Sequence, residues 1–400
     1  MSHAGAEPRS AVSPGQDQLV ELLSSLVRIP STNPPGGELP VAEYLGEVWR
    51  LAGFEVEIDR FDSDRANVIG RRRFGPGPTL LFNGHMDVQP PGRGWTVDPF
   101  GAVVVGDRLY GQGAEDMKAG LAAMTAAAVN YAATDRDRGE LVLTAVADEV
   151  CGGVQGTKRL VDQRLRADFA VVCEPTGTEL YLAHRGALWL RLETAGRSAH
   201  GGRPWLGRNA INGMVSWLAA LQEWAPTTLR RTQHPLLPDN TLNIGFVAGG
   251  HKINVVADRC TAEIDLRHLP DADTAQLVDE IRAIGAATSP DCHTSVELAG
   301  SVDPMETPVD SPIVAICQRA YEATVGSPVR FGATAGFQDA HYLSRDLGIP
   351  TVMFGPYAAA ATEGDDYPSL SGQPDEWVSL SAVTATTKVY EGIIHGALNA

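Results

Sequence analysis

The sequence predicts an α/β fold into which a smaller α+β domain is inserted, and three observations lead to this prediction. In the first half of the chain, short apolar strands alternate with helices, a pattern typical of an α/β domain with a largely parallel sheet. Leucines then occupy every second position from 188 to 192, which is typical of a half-exposed antiparallel strand. After Gly300 the alternation of helices and strands resumes.

The first α/β segment is predicted from apolar residues at helical spacing, from alanine-rich sequence and from short continuous apolar runs. Its predicted helices cover 16–28, 41–51, 118–131 and 157–165, and its predicted strands cover 79–82, 141–147 and 169–173. Polar clusters follow these strands at 83–87, at 148–149 and at 174. Since ligand sites in such sheets lie beyond the carboxyl ends of the strands, all three clusters are candidates for one site.

The inserted segment has the order β-α-β-β-α-β, which is that of a ferredoxin-like α+β domain. Its predicted strands cover 188–193, 241–247, 259–267 and 294–298, and its predicted helices cover 209–224 and 273–287. Beyond it we predict helices at 312–324, 339–346 and 376–397 and a strand at 350–354. We therefore expect a flexible tail at 1–16, an α/β domain formed by 17–183 and 297–400, and an inserted domain at 184–296.

The charge balance argues against two classes of partner. The 400 residues include 32 Lys and Arg against 49 Asp and Glu, which gives a formal net charge of −17. Nucleic acids and anionic membrane surfaces require a basic stripe, so neither is expected as the main partner. The N-terminus is polar and no stretch approaches the ~18–20 apolar residues of a membrane-spanning helix, so we expect a soluble protein without a signal peptide.

The cysteines indicate a reducing compartment. The chain has five, an odd number, and no pair has the C-x-x-C spacing of a zinc knuckle or a redox motif. Because unpaired thiols are usual in reducing compartments, we expect a cytoplasmic location.

The first polar cluster, at 84–90, contains His85 and Asp87. A histidine at a strand end with an acid two residues later suits metal ligation, since the imidazole binds the metal and the carboxylate can hold its other N–H. The alternative is a loop histidine that is hydrogen-bonded to its neighbours. Asp116 lies just before a predicted helix, where it could bind a metal or cap the helix N-terminus.

Acidic residues end the next two predicted strands. Asp148 and Glu149 follow the strand at 141–147, and Glu174 follows the strand at 169–173. Acidic groups at the ends of apolar strands are costly unless they are paired, solvated or bound to a metal. These positions therefore join the first cluster as candidates for a metal site.

Together the three clusters and the segment around Asp116, at 110–120, resemble the M20 family of dinuclear zinc aminoacylases and carboxypeptidases, which includes acetylornithine deacetylase and succinyl-diaminopimelate desuccinylase. The resemblance extends from about residue 17 to residue 397 and includes the inserted segment. It implies a phosphorylase/hydrolase-like zinc-peptidase catalytic domain with an inserted lid and dimerisation domain. It also implies a homodimer that acts on a small carboxylated amide.

The resemblance assigns roles to single positions. His85, Asp116 and Glu174 correspond to ligands of the first metal, with Asp116 as the carboxylate that bridges two metals. Glu149 corresponds to the general base and Asp87 to the partner that orients His85. Zinc, or cobalt or manganese in its place, lowers the pKa of water and polarises the scissile carbonyl. A nearby glutamate can then pass a proton to the leaving amine.

Three further matches lie in the inserted segment. His200, within 196–204, is similar to the family's lid histidine, which reaches across a dimer to stabilise the oxyanion of the partner's substrate. Asn254 and Arg267 are similar to the groups that bind the substrate carboxylate, a task that suits the bidentate fork of arginine. The alternative for Arg267 is a salt bridge at a strand end.

Two positions differ from the family pattern, and both belong to the second metal. Val150 stands where the family has a glutamate ligand, and Gly372 stands where it has a histidine ligand. Because the ligands of the first metal are retained, we expect one metal ion rather than two. Three protein ligands and a water molecule form a competent catalytic zinc site.

Two further assignments stay open, the register of the base and the ligands of a second metal. An inserted residue in the motif would make Asp148 the base and Glu149 a ligand, although the Gly152-Gly153 pair favours the first register. A second metal could be held by acids in the insertion at 358–370 or, less favourably, by a nearby thiol, the candidates being Glu363, Asp365, Asp366 and Cys151.

The expected function is a metal-dependent amidohydrolase that acts on an N-acyl amino acid or a small dipeptide-like substrate with a free carboxylate. Two alternatives remain. One is a catalytically inactive dimer that binds a carboxylated ligand, and the other is a single-metal enzyme of changed amide chemistry, such as cyclisation or carbamoyl hydrolysis. Retention of Glu149 favours an enzyme, because a binding protein has no need for a base beside a metal.

Overall fold

The computed structural model describes residues 15–177, 179–357 and 370–400, so most of the predicted tail at 1–16 lies outside it. The chain divides into two compact units. Unit 1 contains the residues up to Leu182 together with Thr307–Gly332 and Gln338–Ala400, and unit 2 contains Ala183–Glu306 and Ala333–Phe337. The predicted domain boundaries at 183/184 and 296/297 stay a prediction.

The described residues form eight α-helices and sixteen β-strands. The helices are α1 Gln16–Arg28, α2 Leu39–Leu51, α3 Ala119–Ala132, α4 Thr157–Asp162, α5 Ala210–Thr228, α6 Thr274–Thr288, α7 Pro312–Val325 and α8 Leu380–Leu398. The strands are β1 Glu55–Arg60, β2 Ala66–Arg73, β3 Thr79–His85, β4 Val103–Val105, β5 Arg108–Tyr110, β6 Glu140–Val146, β7 Phe169–Val172, β8 Glu179–His184, β9 Gly186–Ala195, β10 Thr241–Gly249, β11 Arg259–His268, β12 His293–Val302, β13 Met305–Glu306, β14 Arg330–Thr334, β15 Thr351–Met353 and β16 Trp377–Ser379.

The main sheet of unit 1 is mixed, and only its centre is parallel. Its order is β1-β2-β6-β3-β7-β15-β8, in which β6, β3, β7 and β15 run parallel to one another. Strands β1 and β2 were not predicted, and they pair antiparallel because the five residues at 61–65 are too few for a parallel crossover. The α/β prediction is confirmed, whereas the sheet is parallel over fewer strands than expected.

The central register places the predicted polar clusters at one edge. His85 pairs with Val146 across β3 and β6, and Asn83 pairs with Val172 across β3 and β7. The carboxyl ends of all three strands therefore lie side by side. Gly120 of α3 permits a close approach here, since a Cβ on it would lie 2.1 Å from the backbone oxygen of Cys173.

Helix α4 ends three residues earlier than predicted and α5 four residues later, and the last two predicted helices differ more clearly. The final helix begins at Leu380 rather than at 376, because the side chain of Ser379 accepts a hydrogen bond from the N–H of Ala382 and caps it. The helix predicted at 339–346 is reduced to a short irregular turn at Tyr342–Asp346.

Unit 2 has the β-α-β-β-α-β order that the sequence predicts. Its four-stranded antiparallel sheet has the order β10-β11-β9-β12, so β10 and β12 are its edges. Helices α5 and α6 cover one face, and Trp217 is completely buried there with its indole N–H donating to the oxygen of Ile281 at 3.0 Å. None of the helices in the described part of the chain has the length and apolar character needed to cross a lipid bilayer.

Candidate metal centre

One histidine and two carboxylates converge at the carboxyl edge of the unit 1 sheet. His85 ends β3, and Glu174 follows β7. Nε2 of His85 lies 3.0 Å from Oδ1 of Asp116 and 3.9 Å from Oε1 of Glu174. The ligand atoms of the three residues all lie within 4.8 Å of one another, so one ion could contact all three. We call His85, Asp116 and Glu174 the ligand group.

The chemistry of these side chains fits a cation. Oε1 of Glu174 is buried and has no hydrogen-bond partner among the described residues. Burial raises the pKa of Glu174 to about 8, against the opposing effect of His85. A buried carboxylate without donors is costly unless a positive charge approaches it. One imidazole nitrogen and two carboxylate oxygens are a ligand set that zinc accepts in catalytic sites.

Asp116 lies in an irregular turn at Ala114–Lys118 and does not cap α3. Its carboxylate contacts Nε2 of His85 and accepts a 2.6 Å hydrogen bond from the hydroxyl of Ser371. Glu376 holds this turn in place, because its Oε1 accepts hydrogen bonds from the N–H groups of Glu115 and Asp116 at 2.9 and 3.2 Å. The helix-cap interpretation of Asp116 is therefore wrong, and its role as a metal ligand stays a prediction.

The orientation of His85 is set by a backbone oxygen. Its Nδ1 lies 2.8 Å from the carbonyl oxygen of Asp87, which can only accept a hydrogen bond, so Nδ1 carries the proton. The other nitrogen, Nε2, faces Asp116 and Glu174. The carboxylate of Asp87 is 3.6 Å from the same nitrogen, beyond hydrogen-bonding range. It accepts instead from the side-chain amide of Asn33 at 2.9 Å and from the N–H groups of Glu149 and Val150, both at 3.2 Å.

Glu149, rather than Asp148, presents its carboxylate to the ligand group. Oε2 of Glu149 lies 3.8 Å from Nε2 of His85, and burial together with the charge of Glu174 raises the pKa of Glu149 well above its ordinary value. The carboxylate of Asp148 points elsewhere and is occupied by Arg65 and by the N–H of Gln155, each at 3.1 Å.

Val150 and Gly372, the two positions that differ from the family pattern, have side chains that cannot bind a metal ion. In the described residues, the group of His85, Asp116 and Glu174 is the one cluster of three or more possible ligands. Gly372 has a φ of +70°, and a Cβ on it would lie 2.4 Å from Oε1 of Gln89. The possible replacement ligands Glu363, Asp365 and Asp366 fall outside the described residues.

Several residues of the site were missed by sequence analysis. Asp339 is buried, its carboxylate accepts a 2.7 Å hydrogen bond from the hydroxyl of Thr157, and burial raises its pKa to about 7. Lys118 is completely buried with its ammonium donating to the oxygen of Ile29, and burial lowers its pKa to about 7. Glu376 is also buried, with its pKa raised to about 7. Lys118 and Glu376 lie within segments that match the family, at 110–120 and 373–377, but the sequence assigns them no role, and the burial of all three charges is seen only in the fold.

The remaining predicted site residues lie in unit 2. His200 is exposed, and its Nδ1 accepts the N–H of Gly202 at 3.0 Å. Asn254 is exposed, and its backbone oxygen accepts the N–H of Gly201. Arg267 forms the salt bridge that sequence analysis gave as the alternative, since its Nε and Nη2 contact the carboxylate of Asp265 at 2.8 and 2.9 Å.

The curated proteins to which the chain is similar include a desuccinylase and a deacetylase. The chain is 30% identical over 389 residues to a succinyl-diaminopimelate desuccinylase of Sphingopyxis alaskensis, which covers 94% of this chain and 97% of that protein. It is 27% identical over 384 residues to an acetylornithine deacetylase of Vibrio parahaemolyticus, which covers 93% and 96%.

Solved structures with the same fold include two peptidases. The aminopeptidase PepT of Bacillus cereus superposes with a TM-score of 0.77 at 21% identity, over 96% of this chain and 99% of that one. An M20 family metallo-carboxypeptidase of Sulfolobus solfataricus gives 0.75 at 19% identity, over 96% and 100%. The sequence model of "Peptidase family M20/M25/M40" matches residues 81–396. Since this match covers well over half of the chain, the protein belongs to peptidase family M20/M25/M40 and is a hydrolase.

Proposed function

We propose that the protein is a metal-dependent amidohydrolase that cleaves the amide bond of an N-acyl amino acid or a small dipeptide-like substrate. The observation that carries the proposal is the position of Glu149. Its carboxylate lies 3.8 Å from the same nitrogen of His85 that faces Asp116 and Glu174. A base beside a set of metal ligands is an arrangement that supports metal-dependent hydrolysis of an amide.

Each side chain has a separate task in this proposal. His85, Asp116 and Glu174 would hold the ion, which when bound supplies Lewis acidity toward the carbonyl and lowers the pKa of water. Glu149 accepts the proton of the attacking water and returns it to the leaving amine. Asp87 orients His85 and Glu149. Its backbone oxygen accepts the hydrogen bond of His85, and its carboxylate accepts the N–H of Glu149.

We further propose that one metal ion rather than two supports this chemistry. Val150 and Gly372 offer no ligand atom from their side chains, and the described residues contain one group of three possible ligands. Three protein ligands leave one position of a tetrahedral zinc ion free for water or substrate.

Titration of the metal-free protein with zinc tests the ion count. We expect one equivalent per chain, with an affinity that rises with pH up to about 8. Burial raises the pKa of Glu174 to about 8, so below that pH binding must displace a proton, and each displaced proton costs up to about tenfold in affinity per pH unit. Calorimetry in two buffers of different ionisation enthalpy counts the protons. Two equivalents, or an affinity independent of pH, would contradict the proposal.

Glu149→Gln tests the base. We expect kcat for the best substrate of an N-acyl amino acid panel to fall about 10²–10⁴-fold with zinc binding retained, because the amide cannot accept a proton. Glu174→Gln is the matched comparison, and it should lose both zinc affinity and activity. Full activity of the Glu149→Gln variant would refute the assignment.

An inactive dimer that binds a carboxylated ligand is the second candidate, and the replacements at Val150 and Gly372 are the observations that favour it. It differs from the first in one measurable respect. A wild-type protein that binds zinc, cobalt or manganese and hydrolyses no member of the panel would favour the binding protein over the enzyme.

We propose that Arg267 and Asn254 bind the substrate carboxylate and that His200 acts on the substrate of a partner subunit. Two arginines lie in the same region, since Nη1 of Arg185 donates to the hydroxyl of Thr241 at 3.3 Å and Thr241 pairs with Arg267 across β10 and β11. Asp265 neutralises one of them, so a net positive charge is left for an anionic substrate group. The pair with Asp265 uses Nε and Nη2 of Arg267 and leaves Nη1 for a further acceptor.

The role of His200 requires a homodimer, and the edge strand β10 supports one. Phe246 and Val247 on this strand are 50% and 51% exposed, and Ile253 beyond it is fully exposed. An exposed apolar edge strand is a ready surface for pairing with a second copy.

Light scattering of Phe246→Glu tests the dimer. We expect a wild-type dimer and a monomeric variant, because two buried carboxylates would face each other across a symmetric strand pair. Leu298→Glu on the opposite edge β12, where Leu298 is 56% exposed, is the control and should stay dimeric. A monomeric wild type, or a variant Phe246→Glu that stays dimeric, would contradict this assembly.

A further inference from the structure

A buried ion pair lies behind the turn that carries the proposed base. Arg65 contacts Glu38 with two hydrogen bonds, from Nε to Oε2 at 3.0 Å and from Nη2 to Oε1 at 2.7 Å. Glu38 is completely buried, and the side chain of Arg65 is 16% exposed. Gly36 leaves room for this guanidinium, since a Cβ there would lie 2.3 Å from Nε of Arg65. The pair is therefore fixed in one geometry.

The same guanidinium reaches the residue before the base. Nη2 of Arg65 also donates to Oδ1 of Asp148 at 3.1 Å. Asp148 has a φ of +72°, a left-handed conformation that, apart from glycine, is adopted mainly by single aspartates and asparagines whose side chains form local hydrogen bonds. Its other oxygen accepts the N–H of Gln155 at 3.1 Å, and its backbone oxygen accepts the N–H groups of Cys151 and Gly153. The side-chain contacts of Asp148 thus hold the uncommon backbone conformation of this turn in place.

The turn is fastened on its other side by Asp87. The carboxylate of Asp87 accepts the N–H groups of Glu149 and Val150, both at 3.2 Å. Asn33 joins the two sides, because its amide donates to Asp87 at 2.9 Å and lies 3.4 Å from Oδ1 of Asp148. The direction in which Glu149 leaves the backbone is set by these contacts.

We propose that Arg65, locked by Glu38, is a positioning residue that holds Asp148 in its left-handed conformation and so aims Glu149 at the ligand group. Its catalytic consequence rests on the proposed function. The hydrogen bonds of Arg65 go to Glu38 and Asp148, so it acts on Glu149 through Asp148. Two acids, Glu38 and Asp148, share this one cation, so its loss leaves them facing each other across a poorly solvated space.

Arginine suits this position for geometric reasons. The planar fork satisfies both oxygens of Glu38 and extends Nη2 to Asp148, whereas a lysine ammonium is a point charge that cannot match the same set of contacts. Arg65→Lys therefore keeps the charge and removes the geometry. Arg159 supplies a matched control, because it forms a two-hydrogen-bond pair with Asp59 at 2.6 and 2.9 Å and lies over the same Phe61 ring.

Amide hydrogen exchange tests the positioning without using activity. In Arg65→Lys we expect the amides of the 148–153 turn to exchange about tenfold faster or more, because local opening of the turn becomes easier. In Arg159→Lys they should exchange as in the wild type. Unchanged exchange in Arg65→Lys, or equal acceleration in both variants, would overturn the proposal. Should Arg65→Lys fail to fold, Asp148→Asn probes the same contact, since asparagine tolerates the left-handed conformation.

Kinetics test the consequence for the base. We expect kcat of Arg65→Lys to fall about 10–100-fold, with KM and zinc affinity changed by less than about twofold and Arg159→Lys unaffected. The double variant Arg65→Lys, Asp148→Asn should be no slower than the slower single variant, because both act through one contact. Multiplicative effects, or equal loss in KM and zinc affinity, would show a merely structural role. Full activity of Glu149→Gln would refute the proposed base, whereas exchange in the turn would still decide the role of Arg65.

Discussion

Burial of several carboxyl groups beside a single histidine is the constraint on which the rest of the site depends. Asp87, Glu174 and Asp339 are almost completely buried, and the carboxylates of Asp116 and Glu149 lie next to His85. One imidazole cannot neutralise this many acids, so burial raises the pKa values of Glu149, Glu174 and Asp339. A cation held by His85, Asp116 and Glu174 would lower the cost of burying these carboxylates, which is the physical argument for a metal at this site.

Hydrogen bonds and an ion pair hold the turns that carry these acids in place. Parallel register brings the ends of β3, β6 and β7 together, and each following turn is tied down separately. Glu376 binds the turn that carries Asp116, while Asp87 and Arg65 hold the turn that carries Glu149. Glu376 and Asp87 are buried, and the side chain of Arg65 is nearly so; the loss of Arg65 would leave the carboxylates of Glu38 and Asp148 without their shared cation.

Much of this site could be predicted from the sequence, because the chemistry follows strand ends. His85, Glu149 and Glu174 each end a short apolar run, and the period of those runs also predicts the α/β fold and the inserted unit. The hairpin of β1 and β2 was missed because charged residues alternate with apolar ones along most of β1 and fill the last three positions of β2. The supporting residues Glu38, Arg65 and Asp339 were missed because they act through contacts between distant segments, and nothing in their local sequence distinguishes them from surface charges.

The M20 pattern accounts for the first metal position and leaves the second without ligands from Val150 and Gly372. The central claim is therefore that one ion, held by His85, Asp116 and Glu174, is placed within reach of Glu149. Anomalous X-ray diffraction from crystals of the zinc-loaded protein tests it most directly. The claim predicts a single strong zinc peak bonded to those three side chains. A second peak of similar height on the side of Val150 and Gly372, or no peak at His85, would contradict it.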